Sequence, residues 1–217
     1  IKNYGDNWIS AGYGLWFLRE TMYLNYARCK LGSSDAISGT GFFFSDAVLK
    51  DIGGWPFHLL TEDIEFTINR VCKGRKIAFC RSAVFYDEQP TSLRQSFRQR
   101  MRWARGYFQV FHHYGKALTR ETFHGNFAAF DMAMNIMPAF FLTATSIVCN
   151  LAYGIIGAAT GGDITIALWS MCETIFNACA LLIVLGGITT VTEWKNIHAG
   201  VARKIFSIFT FPLFMLT

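Results

Sequence analysis

The sequence predicts an α/β portion followed by membrane-spanning helices. Short β-like runs alternate with capped helical stretches up to about residue 91, charge lies almost wholly before residue 125, and from about residue 129 the chain is apolar over bilayer-long stretches. Of 217 residues, 52% are hydrophobic and only 16% charged, an apolar and uneven balance for a soluble domain. The chain opens on Ile1 and ends inside the apolar run FSIFTFPLFMLT; both ends read as cut, and a fragment is expected.

Residues 13–31, rich in aromatics and Leu, predict a helix ending at Gly32. AISGTGFFFS (36–45) reads as a buried strand beside a tight turn, because glycines flank three successive Phe. SDAVLKDIGG (45–54) carries a cap, a short apolar helix and a terminating Gly. The next helix has Thr61 as N-cap and Gly74 as its stop, and KIAFC (76–80) and AVFYD (83–87) are β-like. Gly12-x-Gly14 is too short a pattern to define a phosphate loop.

From Ser92 to Leu118 a long amphipathic helix is expected, with a bend at Gly106. Leu93, Phe97, Met101, Ala104, Phe108 and Phe111 form an apolar stripe, and Arg94, Arg98, Arg102 and Arg105 a basic stripe beside it. The segment holds no acid, which fits a helix lying on a bilayer surface. Spans are expected at about 129–158 and 164–192, with a third starting near Ile205 and running to 217. The turn TGGD between the first two has no Lys or Arg, whereas Lys116, Arg120, Lys195, Arg203 and Lys204 flank them, so the flanks are expected in the cytoplasm. EWKNIHAGVARK (193–204) reads as a second surface helix. The expected divisions are 1–91, 92–120 and 121–217. Six cysteines without a Cys-x-x-Cys pair, and histidines without a cluster, argue against zinc and for free thiols.

Two short stretches carry candidate chemistry. Thr61-Glu62-Asp63, with Glu65 close behind, opens a helix, where acids are favoured by the dipole by about 0.3–1 kcal/mol each, so a purely structural role is a full alternative. QRMRW (99–103) sets Gln99, Arg102 and Trp103 on one helical face. An Arg fork suits phosphate oxygens and a Trp face suits a sugar ring; a surface helix with snorkelling Arg and an interfacial Trp is the alternative. Glu173, Asn135 and Asn150 in the apolar region read as interhelical pairing or as the lining of a path, and His112 and His113 as headgroup-boundary residues.

T-E-D followed by Q-R-x-R-W and then by membrane spans resembles the membrane-bound family 2 glycosyltransferases, the group of cellulose, hyaluronan, chitin and poly-N-acetylglucosamine synthases. SGTGFFFS ahead of the acids and GGW (53–55) fit the same pattern. The resemblance implies the C-terminal half of a GT-A-like domain, then an amphipathic interface helix and transmembrane helices. It implies Asp63 as the general base on the acceptor hydroxyl, with Glu62, Gly39, Thr40, Gly41 and Trp103 at the acceptor and Arg102, Gln99 and Arg100 at the donor diphosphate. It also implies a divalent cation, Mg or Mn, whose Asp-x-Asp ligands belong upstream; no Asp-x-Asp occurs in this sequence. The implied partners are a nucleotide-sugar donor such as a UDP-sugar, a polysaccharide or lipid acceptor, and the membrane, but no nucleic acid. The implied enzyme is inverting and processive, multi-pass in the cell membrane with its catalytic part in the cytoplasm. Hydrolysis fits less well, since it needs two carboxylates flanking a bond and Glu62 and Asp63 are neighbours that diverge on one helix. A lipid-directed transferase would share every motif, and a non-catalytic membrane protein is the rival from another class.

Overall fold

In the computed structural model the backbone is described for residues 1–161 and 164–217, and side chains for all of these except 138–143, 164, 166 and 167. The described residues form helices and connecting loops with no strand, so the α/β expectation is overturned. The reason lies in where the backbone amides of the β-like runs go. A ladder needs repeated interstrand bonds. Between the run at 76–80 and the segment before Ala36 there is one backbone bond, Asp35 N to Ile77 O at 2.9 Å. Ile77 N donates instead to Ser34 Oγ (3.0 Å), Ala36 N to Asp35 Oδ1 (2.8 Å) and Ile37 N to Thr67 Oγ1 (3.2 Å). Side chains take the amides that a neighbouring strand would use.

The chain divides into two compact units, Glu20–Met137 and Ile1–Arg19 with Pro138–Thr217. The first unit begins with a π-helical turn, Glu20–Asn25, and α2, Tyr26–Lys30. It continues through α3, Asp46–Ile52, closed by Gly53 at φ 71°, and α4, Glu62–Cys72, followed by Gly74 at φ 68°. Then come α5, Leu93–Phe123, and α6, Phe127–Ile136, the latter capped by Asn126, whose side chain accepts from Ala129 N. Ile64, Ile68 and Val71 of α4 meet Val110 and Leu118 of α5 and Ala129, Met132 and Ile136 of α6 in the main core. The opposite face of α4 is buried as well. Phe66 stacks on Trp55 (centroids 5.3 Å apart), which stacks on Phe44 (5.4 Å), with Phe57 edge-on. Arg28 of α2 grips Asp131 of α6 through Nε and Nη2 at 2.6 and 3.1 Å.

The second unit contains α1, Trp8–Arg19, α7, Pro138–Ala159, α8, Ile164–Thr192, and α9, Val201–Leu216. The expected first span is interrupted: α6 ends at Ile136 and α7 starts on Pro138, because proline disfavours helical backbone at the residue before it yet is well tolerated at a first helical position. Residues 194–200 are turn and coil, so the surface helix expected at 193–204 is absent and α9 starts at Val201, with Gly200 as its cap. Of the expected TGGD turn, Gly162 and Asp163 lie outside the described residues. Among the described helices, one stretch, Leu168–Thr192, is long and apolar enough to cross a membrane. Gly12 and Gly14 are buried inside α1. A Cβ on Gly12 would fall 2.3 Å from the Phe214 ring, and one on Gly14 2.3 Å from the Tyr4 ring, so the G-x-G pattern seats two aromatic rings. Asn150 bonds back to Ser146 O (2.8 Å) within α7, and Glu173 is exposed on α8.

Candidate functional site

Three acids open α4, and the structure separates their circumstances. Glu62 is exposed. Glu65 is buried, its Oε2 accepting from His58 N and Leu59 N at 3.0 Å each and its Oε1 from the Tyr114 hydroxyl at 3.3 Å. It fastens the loop before α4 to α5 and is fully engaged. Asp63 is half-buried at the open end. Its Oδ1 accepts from Ile64 N at 2.8 Å, and its Oδ2 faces Gly39, where a Cβ would stand 3.5 Å away. Gly39 has φ 80°, a backbone that favours glycine, so the loop can run against the carboxylate without a side chain covering it. Thr67 holds the loop there: its hydroxyl accepts from Ile37 N and donates to Asp63 O at 2.9 Å.

Burial raises the Asp63 carboxyl above its ordinary range, and the neighbouring Glu62 adds to this. The Ile64 amide and the Arg102 guanidinium work in the other direction. Arg102 is exposed on α5, one helical turn before Gly106, the residue that meets Thr61. Asp63 and Arg102 thus lie within electrostatic range of each other.

The remaining expected residues lie on α5 and on the loop before α3. Gln99 is half-buried, and its Oε1 is buried without a hydrogen-bond partner. Arg100 and Trp103 are half-buried on neighbouring turns of α5. Thr40 is exposed, with its amide on Ser38 O at 3.0 Å. Gly41, at φ 67°, underlies the Phe85 ring, whose nearest atom would stand 2.1 Å from an added Cβ.

Thr61 precedes α4 as expected, but its side chain makes no cap bond, and Oγ1 is buried without a partner. Two residues went unnoticed in the sequence. Thr67 looks like ordinary helix interior until the loop it holds is seen. Tyr107 is half-buried on α5; desolvation lifts its phenol well above the usual range, and the charges of Glu20 and Asp63 act in the same sense. α5 continues as one helix through Gly106.

Residues 2–189 match the family described as Glycosyl transferase family group 2. The chain belongs to this family. A 70-residue segment is 37% identical to "Probable glycosyltransferase YdaM" of Bacillus subtilis (strain 168), covering 32% of this chain and 17% of that protein. A 79-residue segment is 30% identical to "Poly-beta-1,6-N-acetyl-D-glucosamine synthase" of Staphylococcus aureus (strain COL), covering 36% of this chain and 19% of that protein. The alignments thus span less than a fifth of either relative. No solved structure matches the chain significantly. For this glycosyltransferase-family chain, no three His, Cys, Asp or Glu side chains cluster as a metal site among the described residues. The Asp-x-Asp ligands expected for a divalent cation belong upstream of these residues.

Proposed function

We propose that this chain carries the acceptor side of an inverting glycosyltransferase that uses a nucleotide-sugar donor and extends a β-linked polysaccharide at the cytoplasmic face of a membrane. In this reading Asp63 removes the proton from the acceptor hydroxyl as that oxygen attacks the donor's anomeric carbon. The bond from that carbon to the diphosphate oxygen breaks, and the nucleoside diphosphate leaves with the bonding pair. Arg102 meets the charge that grows on the leaving group, with Gln99 and Arg100 beside it, and Trp103 offers its ring to the acceptor sugar. A single displacement with one base inverts the anomeric centre.

The observation that carries the reading is the half-buried Asp63, flanked by positive-φ Gly39 and within electrostatic range of Arg102. Family membership supports transfer over hydrolysis, and the Staphylococcus aureus synthase's name supports a β-linked amino-sugar polymer. The membrane setting is supported by Leu168–Thr192 and by the apolar stripe of α5, where Leu93, Phe97, Met101 and Phe108 are exposed beside Arg94, Arg98 and Arg105.

The test is labelled-sugar transfer by the full-length protein in membranes with UDP-N-acetylglucosamine as donor. Asp63→Asn is expected to lower the rate by about 10²–10⁴-fold while the protein still accumulates in the membrane. Transfer at the unmodified rate would refute the assignment. A product bearing one sugar on lipid, in place of a polymer, would refute the processive version.

A further inference from the structure

The first turn of α4 rests directly on α5, and one missing side chain permits it. Gly106 is buried, and a Cβ built on it would lie 2.5 Å from Thr61 Cγ2, 2.6 Å from Oγ1 and 3.0 Å from Cβ. Carbon atoms in contact sit about 3.5–4.0 Å apart, so any side chain at 106 would push the two helices apart by about 1 Å. Thr61 is itself only 5% exposed. The seat is held from both sides. Leu60 N donates to Gln109 Oε1 at 3.2 Å, Tyr114 reaches Glu65, and Val110, fully buried, lies one turn beyond Gly106. Asp63 lies two residues after Thr61, and Arg102 one helical turn before Gly106.

We propose that Gly106 is the positioning residue of this site: its bare Cα is the seat for the Thr61 end of α4, and that seat sets the separation of Asp63 from Arg102. Gly106 touches neither substrate; it acts through Thr61. The inference rests on the transferase reading, in which acceptor oxygen and leaving diphosphate must fit between those two groups. Helix propensity argues for alanine here, since glycine is the weaker helix former, so the seat and the propensity predict opposite signs.

The experiment is again transfer by the full-length protein in membranes from UDP-N-acetylglucosamine, together with binding of UDP alone. Gly106→Ala is expected to lower kcat by about 100-fold, with the donor KM and the affinity for UDP changed by less than about threefold, because a 1 Å misplacement disrupts alignment more than ground-state binding. Adding Thr61→Gly empties the space and is expected to restore kcat by about tenfold over the single variant, a coupling that independent sites would not show. A Gly106→Ala enzyme at the unmodified rate overturns the proposal, as does a double variant no faster than the single one. If Gly106→Ala fails to accumulate, the double variant decides: transfer supports the seat, whereas accumulation without transfer, or no accumulation, overturns it. An inactive Asp63→Asn beside a fully active Gly106→Ala sinks only the seat; a fully active Asp63→Asn sinks the transferase reading beneath it.

Discussion

The two helices that meet at the candidate site are built on opposite plans. α4 is short and enclosed: Ile64, Ile68 and Val71 face one cluster, Phe66 faces the aromatic stack, and only its first turn opens outward. α5 is nearly three times as long and buried along one stripe, through Ser96, Gly106, Val110, Gly115 and Leu118. Its basic stripe stays open, and so do Leu93, Phe97, Met101 and Phe108 of its apolar one. An enclosed helix can hold a carboxylate in one place against burial forces that would otherwise move it. A helix with an open apolar stripe needs a second apolar medium. Precision belongs to α4 and attachment to α5, and the contrast can be broken from either side.

The largest effect is expected in the enclosed helix. Glu65→Ala strands His58 N, Leu59 N and the Tyr114 hydroxyl, all of which bond to that carboxylate. An unmet buried donor costs about 1–3 kcal/mol, and water reaches part of this loop, so a total of about 3 kcal/mol is expected. Glu65→Gln keeps one carbonyl acceptor and is expected to lose about 1 kcal/mol, and Tyr114→Phe less than that. Thermal unfolding of the purified protein in micelles, followed by circular dichroism, should rank the three in that order. An alanine variant that melts with the parent would show that α4 is not held as described.

A smaller effect is expected on the open side. Phe97 is 56% exposed on the apolar stripe. Burying a Phe side chain in an apolar phase gains about 1.5–3 kcal/mol when complete, so Phe97→Asp in a peptide of residues 92–120 should weaken partition onto anionic vesicles by about tenfold. Arg98→Gln should cost about 1 kcal/mol, a loss that vanishes in high salt while the Phe97 effect persists. A peptide of residues 61–74, with its acidic start, should stay in solution. Equal binding by the two peptides would erase the contrast.

Much of this was legible from spacing alone. α4 and α5 follow from caps, stops and apolar periodicity, and lie within a few residues of their expected limits. The acids and QRMRW were visible as motifs. What local patterning could not reveal depended on neighbours distant in the chain. AISGTGFFFS and KIAFC have strand composition, but their amides meet Asp35, Thr67 and Ser34 side chains in place of a ladder. Thr61 occupies the cap position while its hydroxyl is pressed against Gly106 and caps nothing. Among three acids in four positions, only burial and partners separate the tethering Glu65 from the half-open Asp63. Gly12, Gly14 and Gly106 all sit within helices, where glycine looks like a weakness until the ring or helix filling the missing space is known.

The smallest expected effect is the most specific to the site. Burial is the main reason the Asp63 carboxyl is raised, and Glu62 is a secondary contributor. A carboxyl with a raised folded value holds its proton more tightly folded than unfolded. Its contribution to stability is complete below the ordinary Asp value of about 3.9 and fades as pH climbs through the raised one. As a base it must lose that proton, so the acid limb of kcat/KM should stand above the ordinary carboxylate range. Glu62→Gln removes the negative neighbour and leaves burial untouched. The limb should then move to lower pH, with the folded state slightly firmer near neutrality. Arg102→Gln should move the limb upward, because it removes the opposing positive charge, and should depress the plateau as well. Opposite displacements from two charges on two different helices would mean that both fields converge on one titrating carboxyl. A limb indifferent to both would mean that the group titrating in the reaction lies elsewhere.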